Sequence, residues 1–178
     1  MLILVGPSAS GKTEAVKILT SKYDLEKLVT YTTRSMRKNE INHKDYHFIT
    51  KEEFEEKIKN NFFLEYVCYN DYYYGTAYED LASNKVVILE PAGVMKYKEK
   101  APNLVKVCYL RTPINTRLSR MIERGDDEEQ IKKRIENDDL IFNASIENNA
   151  DWIINSDEKS IDDMTDDIYQ LYKPYIWK

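Results

Sequence analysis

The apolar positions of this chain fall into short continuous runs separated by amphipathic stretches. Leu2-Ile3-Leu4-Val5 is apolar throughout, the pattern of a parallel strand covered on both faces. Val86-Val87-Ile88-Leu89, Leu104 to Leu110 and Trp152-Ile153-Ile154 read the same way. Between them the period lengthens to that of a helix. Glu14 to Tyr23 brings Ala15, Ile18 and Leu19 to one face, and helical spacing recurs at Val94 to Lys100, Ile114 to Arg124 and Glu128 to Asn143. A last helix, Ile161 to Tyr172, carries Ile161, Met164, Ile168 and Leu171 on one stripe, suited to docking on the core or to a dimer contact. Strands alternating with helices predict an α/β domain with a central parallel sheet.

Residues 30–76 break that rhythm. They are rich in Tyr, Thr, Phe and charge, with one helical piece near Glu52 to Lys59. Tyr46 to Ile49, Phe62 to Val67 and Tyr72 to Tyr74 predict strands of a small separate sheet, hence an inserted subdomain. The length of 178 residues suits one domain. A net charge of −5 speaks against a non-specific nucleic-acid binder, which needs basic excess, but leaves small phosphorylated ligands open. No apolar run reaches the ~18 residues of a membrane span, and the first strand leaves no room for a signal peptide, so no membrane partner is expected. Cys68 and Cys108 read as reduced core thiols, in keeping with a cytoplasmic setting.

Chemistry enters at Gly6-Pro7-Ser8-Ala9-Ser10-Gly11-Lys12-Thr13, which fits G-x-x-x-x-G-K-[ST] at every fixed position. Gly6 and Gly11 let the backbone approach phosphates and turn the N–H groups of Ser8, Ala9 and Ser10 inward. A helix starting near Lys12 adds its positive dipole end. Lys12 supplies a point charge for the β- and γ-phosphates, and the Thr13 hydroxyl is the expected Mg²⁺ ligand. The loop lies between a buried strand and a helix, as this motif requires. It implies ATP and Mg²⁺, and by itself names only a nucleotide-binding class.

Further segments narrow the reading. Thr30-Tyr31-Thr32-Thr33-Arg34-Ser35-Met36-Arg37, Glu40, Lys44 to Phe48, Phe63-Leu64-Glu65-Tyr66 and Tyr73-Tyr74-Gly75-Thr76 are followed by Arg120 to Gly125, Lys133-Arg134-Ile135 and Ile153-Ile154-Asn155. In order and spacing the chain resembles guanylate kinase over nearly its whole length. The resemblance implies an α/β P-loop three-layer fold with a central parallel sheet, an inserted small mixed-β nucleotide-monophosphate-binding subdomain and a helical lid. The core would comprise 1–29, 77–112 and 145–178, the inserted subdomain 30–76 and the lid about 113–144. It implies γ-phosphoryl transfer from ATP to GMP or dGMP, small-molecule partners, and a monomer or homodimer.

Residue by residue, the resemblance places Arg34, Arg37, Tyr46 and Tyr74 on the acceptor phosphate. Two arginines can fork onto its oxygens, and phenols can donate to them. Glu65 matches the carboxylate that accepts both N1–H and the 2-amino group of guanine. Thr30 and Thr76 match hydroxyl positions at the base, beside Gly75. Adenine, with an acceptor at N1, would leave Glu65 facing a lone pair. Arg120, Arg124 and Arg134 match lid arginines that cover the charge of the transferring group. Asn155 matches a position near the adenine of ATP, or serves as a turn residue after its strand.

The chain departs from the family at Ile88-Leu89-Glu90-Pro91-Ala92-Gly93, where the family has Asp-x-Asp followed closely by Gln-Gly. Ile88 removes the acid near metal and phosphates, and Glu90 is one methylene longer than the acid that helps read the guanine amino group. His43 and Asp71 stand where the family often has glycine, in turns. Two alternatives stay open: a P-loop kinase for another phosphorylated acceptor, such as a different nucleotide or a sugar phosphate, and a non-catalytic guanylate-kinase-like binding module.

Overall fold

The computed structural model describes residues 1–36, 40–69, 72–142 and 144–176. Its first half contains β1 (Leu2–Val5), α1 (Lys12–Lys22), β2 (Glu26–Lys27), β3 (Tyr31–Thr32), β4 (His47–Phe48), α2 (Lys51–Lys59), β5 (Phe63–Tyr69) and β6 (Tyr72–Ala77). The second half contains β7 (Lys85–Ile88), α3 (Pro91–Lys100), β8 (Lys106–Arg111), α4 (Ile114–Glu123), α5 (Glu128–Ile141), α6 (Ala144–Asn148), β9 (Trp152–Asn155) and α7 (Ile161–Tyr172).

A five-stranded sheet has the order β2-β7-β1-β8-β9, with every pairing parallel. Every residue of β1 is buried, which is why no polar position interrupts it. Alternate side chains then feed two cores. Ile3 and Val5 pack with Val87, Val107, Tyr109, Val94 and Tyr97 under α3. Leu2 and Leu4 pack with Val86, Cys108 and Leu110 under α1 and α7, which contribute Ala15, Leu19, Met164, Ile168 and Tyr172. The predicted three-layer arrangement is the one observed.

The second sheet has the order β4-β3-β6-β5, parallel between β3 and β4 and antiparallel elsewhere. Helix α2 closes one face of it. Its N-terminus carries a capping box, with Thr50 accepting from the Glu53 amide and Glu53 returning a bond to the Thr50 amide. Phe54, fully buried, stacks on Phe63 at 4.3 Å and on Tyr73 at 5.2 Å between ring centres. Gly75 lies under this stack, where a Cβ would come within 2.9 Å of Phe54.

Several sequence expectations need correction. The strand expected from Leu104 starts at Lys106; Val105 is apolar because it is buried before the ladder begins, and Leu104 is exposed. β2 and β3 were not expected, because two residues are too few for any periodicity. The helix expected to reach Asn143 ends at Ile141, and α6 follows separately; Asn143 itself lies outside the described residues. Cys68 is exposed on β5 and is no core thiol, whereas burial pushes the Cys108 thiol up to about 12. On α7 the docking stripe is Met164, Ile168 and Tyr172, while Leu171 stays exposed. Among the described residues no helix is long and apolar enough to cross a membrane.

Phe54→Ala should lower stability by ~3–5 kcal/mol, because it empties the centre of an aromatic stack. Urea unfolding followed by tyrosine fluorescence measures this.

Candidate active site

Chain direction brings the phosphate loop to the carboxyl end of β1, where the strand order reverses between β7 and β8. That is where open α/β sheets bind ligands. Gly6 is required by proximity: a Cβ there would meet the Leu110 carbonyl oxygen at 2.7 Å. Gly11, at φ 95, N-caps α1 in the left-handed region that glycine accepts freely. Ala9 also stands in that region, at φ 61, at a cost of ~1–2 kcal/mol for an L residue. The Ser10 amide turns back onto the Pro7 carbonyl at 3.3 Å. The amides of Ala9, Gly11, Lys12 and Thr13 make no hydrogen bond to protein among the described residues.

Lys12 is folded back on its own loop. Its Nζ donates to the Gly6 carbonyl at 2.6 Å and the Pro7 carbonyl at 2.8 Å. Burial draws its pKa below the ordinary lysine range; Glu90 and Asp138 oppose that shift, and Arg117 adds to it. Glu90 occupies the N-cap of α3 without making a side-chain capping bond. Desolvation pushes its carboxyl up, and the charge of Lys12 works against that. Thr13 is exposed at the start of α1.

Arg120 lies on α4, Arg124 caps its C-terminal end and Arg134 lies on α5. Arg120 donates to the Ala9 carbonyl at 3.1 Å and to the Ser156 carbonyl at 2.8 Å. Arg124 forks onto Asp126, and Arg134 reaches the same carboxylate at 3.2 Å. Arg120 and Arg124 join residues 9–14 around a cleft of about 250 Å³. Asn155 does not line it. Its side chain donates to Glu158 at 2.6 Å.

Sequence reasoning missed Arg117 and Asp138. Both are 5% exposed and form an ion pair of 2.9 Å between α4 and α5. Asp138 also accepts from the Ser8 amide at 2.8 Å and the Ser8 hydroxyl at 3.3 Å. A signal was present: Arg117 shares a helix face with Met121, and Asp138 shares one with Ile131. The helices bury these charges and leave Ile114 and Ile122 exposed, against the apolar pattern.

On the other side a larger cleft, of about 670 Å³, runs between α1, β7 and the second sheet. Thr30, Tyr46, Lys44 and Ile88 line it, and Thr13 lines both clefts. Arg34, Tyr46 and Tyr74 come together as expected. The Arg34 guanidinium lies 5.5 Å from the Tyr46 ring centre, and the Tyr46 and Tyr74 rings stand edge to face at 6.1 Å. It is also engaged by Glu40, with contacts of 2.6 and 3.0 Å. Glu65 and Thr76 meet at 3.1 Å on neighbouring strands, with Gly75 beside them. Burial holds the Glu65 carboxyl above the usual glutamate range; Thr76, Lys96 and Lys100 pull the other way. Arg37 and Asp71 lie outside the described residues. His43 adopts φ 64, the left-handed turn expected of it.

Comparison with known proteins agrees with this arrangement. The family model described as guanylate kinase matches residues 1–174. A guanylate kinase of Lactiplantibacillus plantarum is 36% identical over 167 residues, covering 89% of this chain and 80% of its own. A guanylate kinase of Wolinella succinogenes is 39% identical over 144 residues, covering 76% and 67%. The crystal structure of guanylate kinase from Anaplasma phagocytophilum superposes with a TM-score of 0.64 at 20% identity, covering 100% of this chain and 86% of its own, and so supports the fold.

Ala9→Gly should raise stability by roughly 0.5–1 kcal/mol, the left-handed penalty less the added entropy of an unfolded glycine. The shift in the urea midpoint at constant slope reads it out.

Proposed function

The chain belongs to the guanylate kinase family, and from that membership and the two clefts joined at Thr13 we propose that it moves the γ-phosphoryl group of ATP onto GMP. The observation that carries this reading is an intact phosphate loop with uncommitted amides, joined at Thr13 to a second cleft lined by Thr30 and Tyr46, with Arg34 and Tyr74 packed against Tyr46. dGMP offers the same base and phosphate, so the same groups would accept it. We assign residues 1–29, 77–112 and 145–178 to the core, 30–76 to acceptor binding and about 113–144 to the lid. A monomer or homodimer in the cytoplasm, acting on small molecules alone, completes the proposal.

In this reading the amides of Ala9, Gly11, Lys12 and Thr13 and the α1 dipole hold the donor phosphates. Lys12 leaves the Gly6 and Pro7 carbonyls for the β- and γ-oxygens. A phosphate oxygen of GMP attacks Pγ in line as the bond from Pγ to the bridging oxygen breaks, giving GDP and ADP. Arg34, with Arg37, Tyr46 and Tyr74, exchanges Glu40 for the acceptor phosphate. Arg124 and Arg134 exchange Asp126 for the transferring group, and Arg120 stays at the loop. Glu65, Thr76, Thr30 and Glu90 read the guanine edge.

Mg²⁺ fits this site through Thr13, whose exposed hydroxyl stands at the loop. Among the described residues no cluster of three acidic, Cys or His side chains offers a protein cage. A metal held by Thr13 would neutralise the charge that develops on the transferring group.

Lys12→Ala should abolish ADP release while GMP binding persists; a near-normal rate would remove the loop from ATP binding. With GMP, dGMP, AMP, CMP and UMP as acceptors, turnover should be confined to the first two. Turnover of another acceptor, or GMP binding without turnover, would select the competing readings.

Glu65 must be ionised to accept two guanine donors. Its raised pKa means protonation begins above the ordinary glutamate value of 4.5. The GMP-to-IMP ratio in kcat/KM should therefore fall as pH drops, starting above that value; both acceptors share the same phosphate titration, so the ratio isolates the base. In Glu65→Gln the ratio should be low and flat with pH.

A further inference from the structure

The front turn of the phosphate loop is gripped from the lid on both sides. Asp138 of α5 accepts the Ser8 amide at 2.8 Å and the Ser8 hydroxyl at 3.3 Å. Arg120 of α4 donates to the next residue's carbonyl, Ala9, at 3.1 Å. Between these two contacts lies the strained backbone of Ala9, at φ 61. Gly11 also has positive φ, but a glycine bears no penalty there. The loop's conformational cost is thus concentrated at one alanine, and both groups flanking it come from lid helices.

Asp138 is held in turn by Arg117, at 2.9 Å, with both side chains 5% exposed. Stability alone accounts poorly for this pair. Two charges have been taken out of water, and the Arg117 Nε is buried with no partner. The pair does solve an electrostatic problem. A lone carboxylate at the mouth of a polyphosphate site would repel the ligand, whereas one neutralised by Arg117 can hold the Ser8 amide without that penalty.

We infer that Asp138 is a positioning residue of the donor site: it holds the Ser8–Ala9 turn in the shape that receives ATP, and Arg117 holds Asp138. This rests on the reading of residues 6–13 as the ATP site. When Asp138 lets go, the turn is free to relax out of the left-handed conformation, and ATP must restore it.

Calorimetric titration with a non-hydrolysable Mg·ATP analogue tests this. R117L/D138A removes both charges, so no unpaired ion remains to unfold the protein. Its affinity should be about tenfold weaker than wild type, the equivalent of one strained residue. In an A9G background, where the turn is no longer strained, the same pair of substitutions should cost about twofold or less. Unchanged or tighter binding by R117L/D138A overturns the inference, as does an equal loss with and without A9G, which would mean that the pair acts through its field on the phosphates. Hydrogen exchange of wild-type protein adds a check independent of any variant: the Ser8 amide should be protected, and fast exchange overturns the proposal. If wild type fails to bind the analogue at all, the ATP-site reading falls with it; wild-type binding with indifferent variants sinks this inference alone.

Discussion

The amides of Ala9, Gly11, Lys12 and Thr13 leave the end of β1 with no protein acceptor among the described residues. Backbone groups tolerate that only where water or an anion can serve them. The rest of the architecture works toward this one condition. β1 is sealed on both faces, so the loop emerges at a fixed point of the sheet. Gly6 lets it pass against the Leu110 carbonyl, and Gly11 turns it into α1. Two hydrophobic layers, under α3 and under α1 with α7, keep that geometry rigid.

The cations around the clefts are held by the protein itself. Arg34 is forked onto Glu40, Arg124 and Arg134 share Asp126, and Lys12 leans on loop carbonyls. In the proposed function, substrate binding would therefore be an exchange of partners, not an encounter with bare charge. Such an exchange favours compact polyanions that offer several oxygens at once, since a single carboxylate already occupies each arginine. It also reconciles a net charge of −5 with phosphorylated substrates, because local geometry and not overall charge supplies the attraction.

What could be read from the sequence follows from how each feature is encoded. β1, the loop and α1 were legible because strand burial, glycine placement and the lysine are local requirements. Thr30 at the second cleft and the Glu65–Thr76 pair were legible only through family resemblance, since these residues are far apart in the chain and nothing local marks them. The two-residue strands β2 and β3 are stabilised by neighbours and carry no period of their own. Arg117 and Asp138 escaped notice because an isolated charge on a helix resembles a solvated one; only the packing of α4 against α5 shows that two such charges are buried together.

The same packing bears on the acid missing at Ile88. That residue pairs with Leu4 across the sheet and lines the larger cleft as a hydrocarbon. Acidic charge has not left the neighbourhood, however. Glu90, two residues past the end of β7, and Asp138, on α5, both act on the charge of Lys12. A carboxylate on a central strand cannot move without moving the sheet, whereas Asp138 is carried by the helical segment that also bears Arg134. The field at Lys12 therefore depends on where α5 sits. Any displacement of α5 must release the Ser8 amide and alter the balance at Lys12 in the same step, which is how one carboxylate links the loop to this helix.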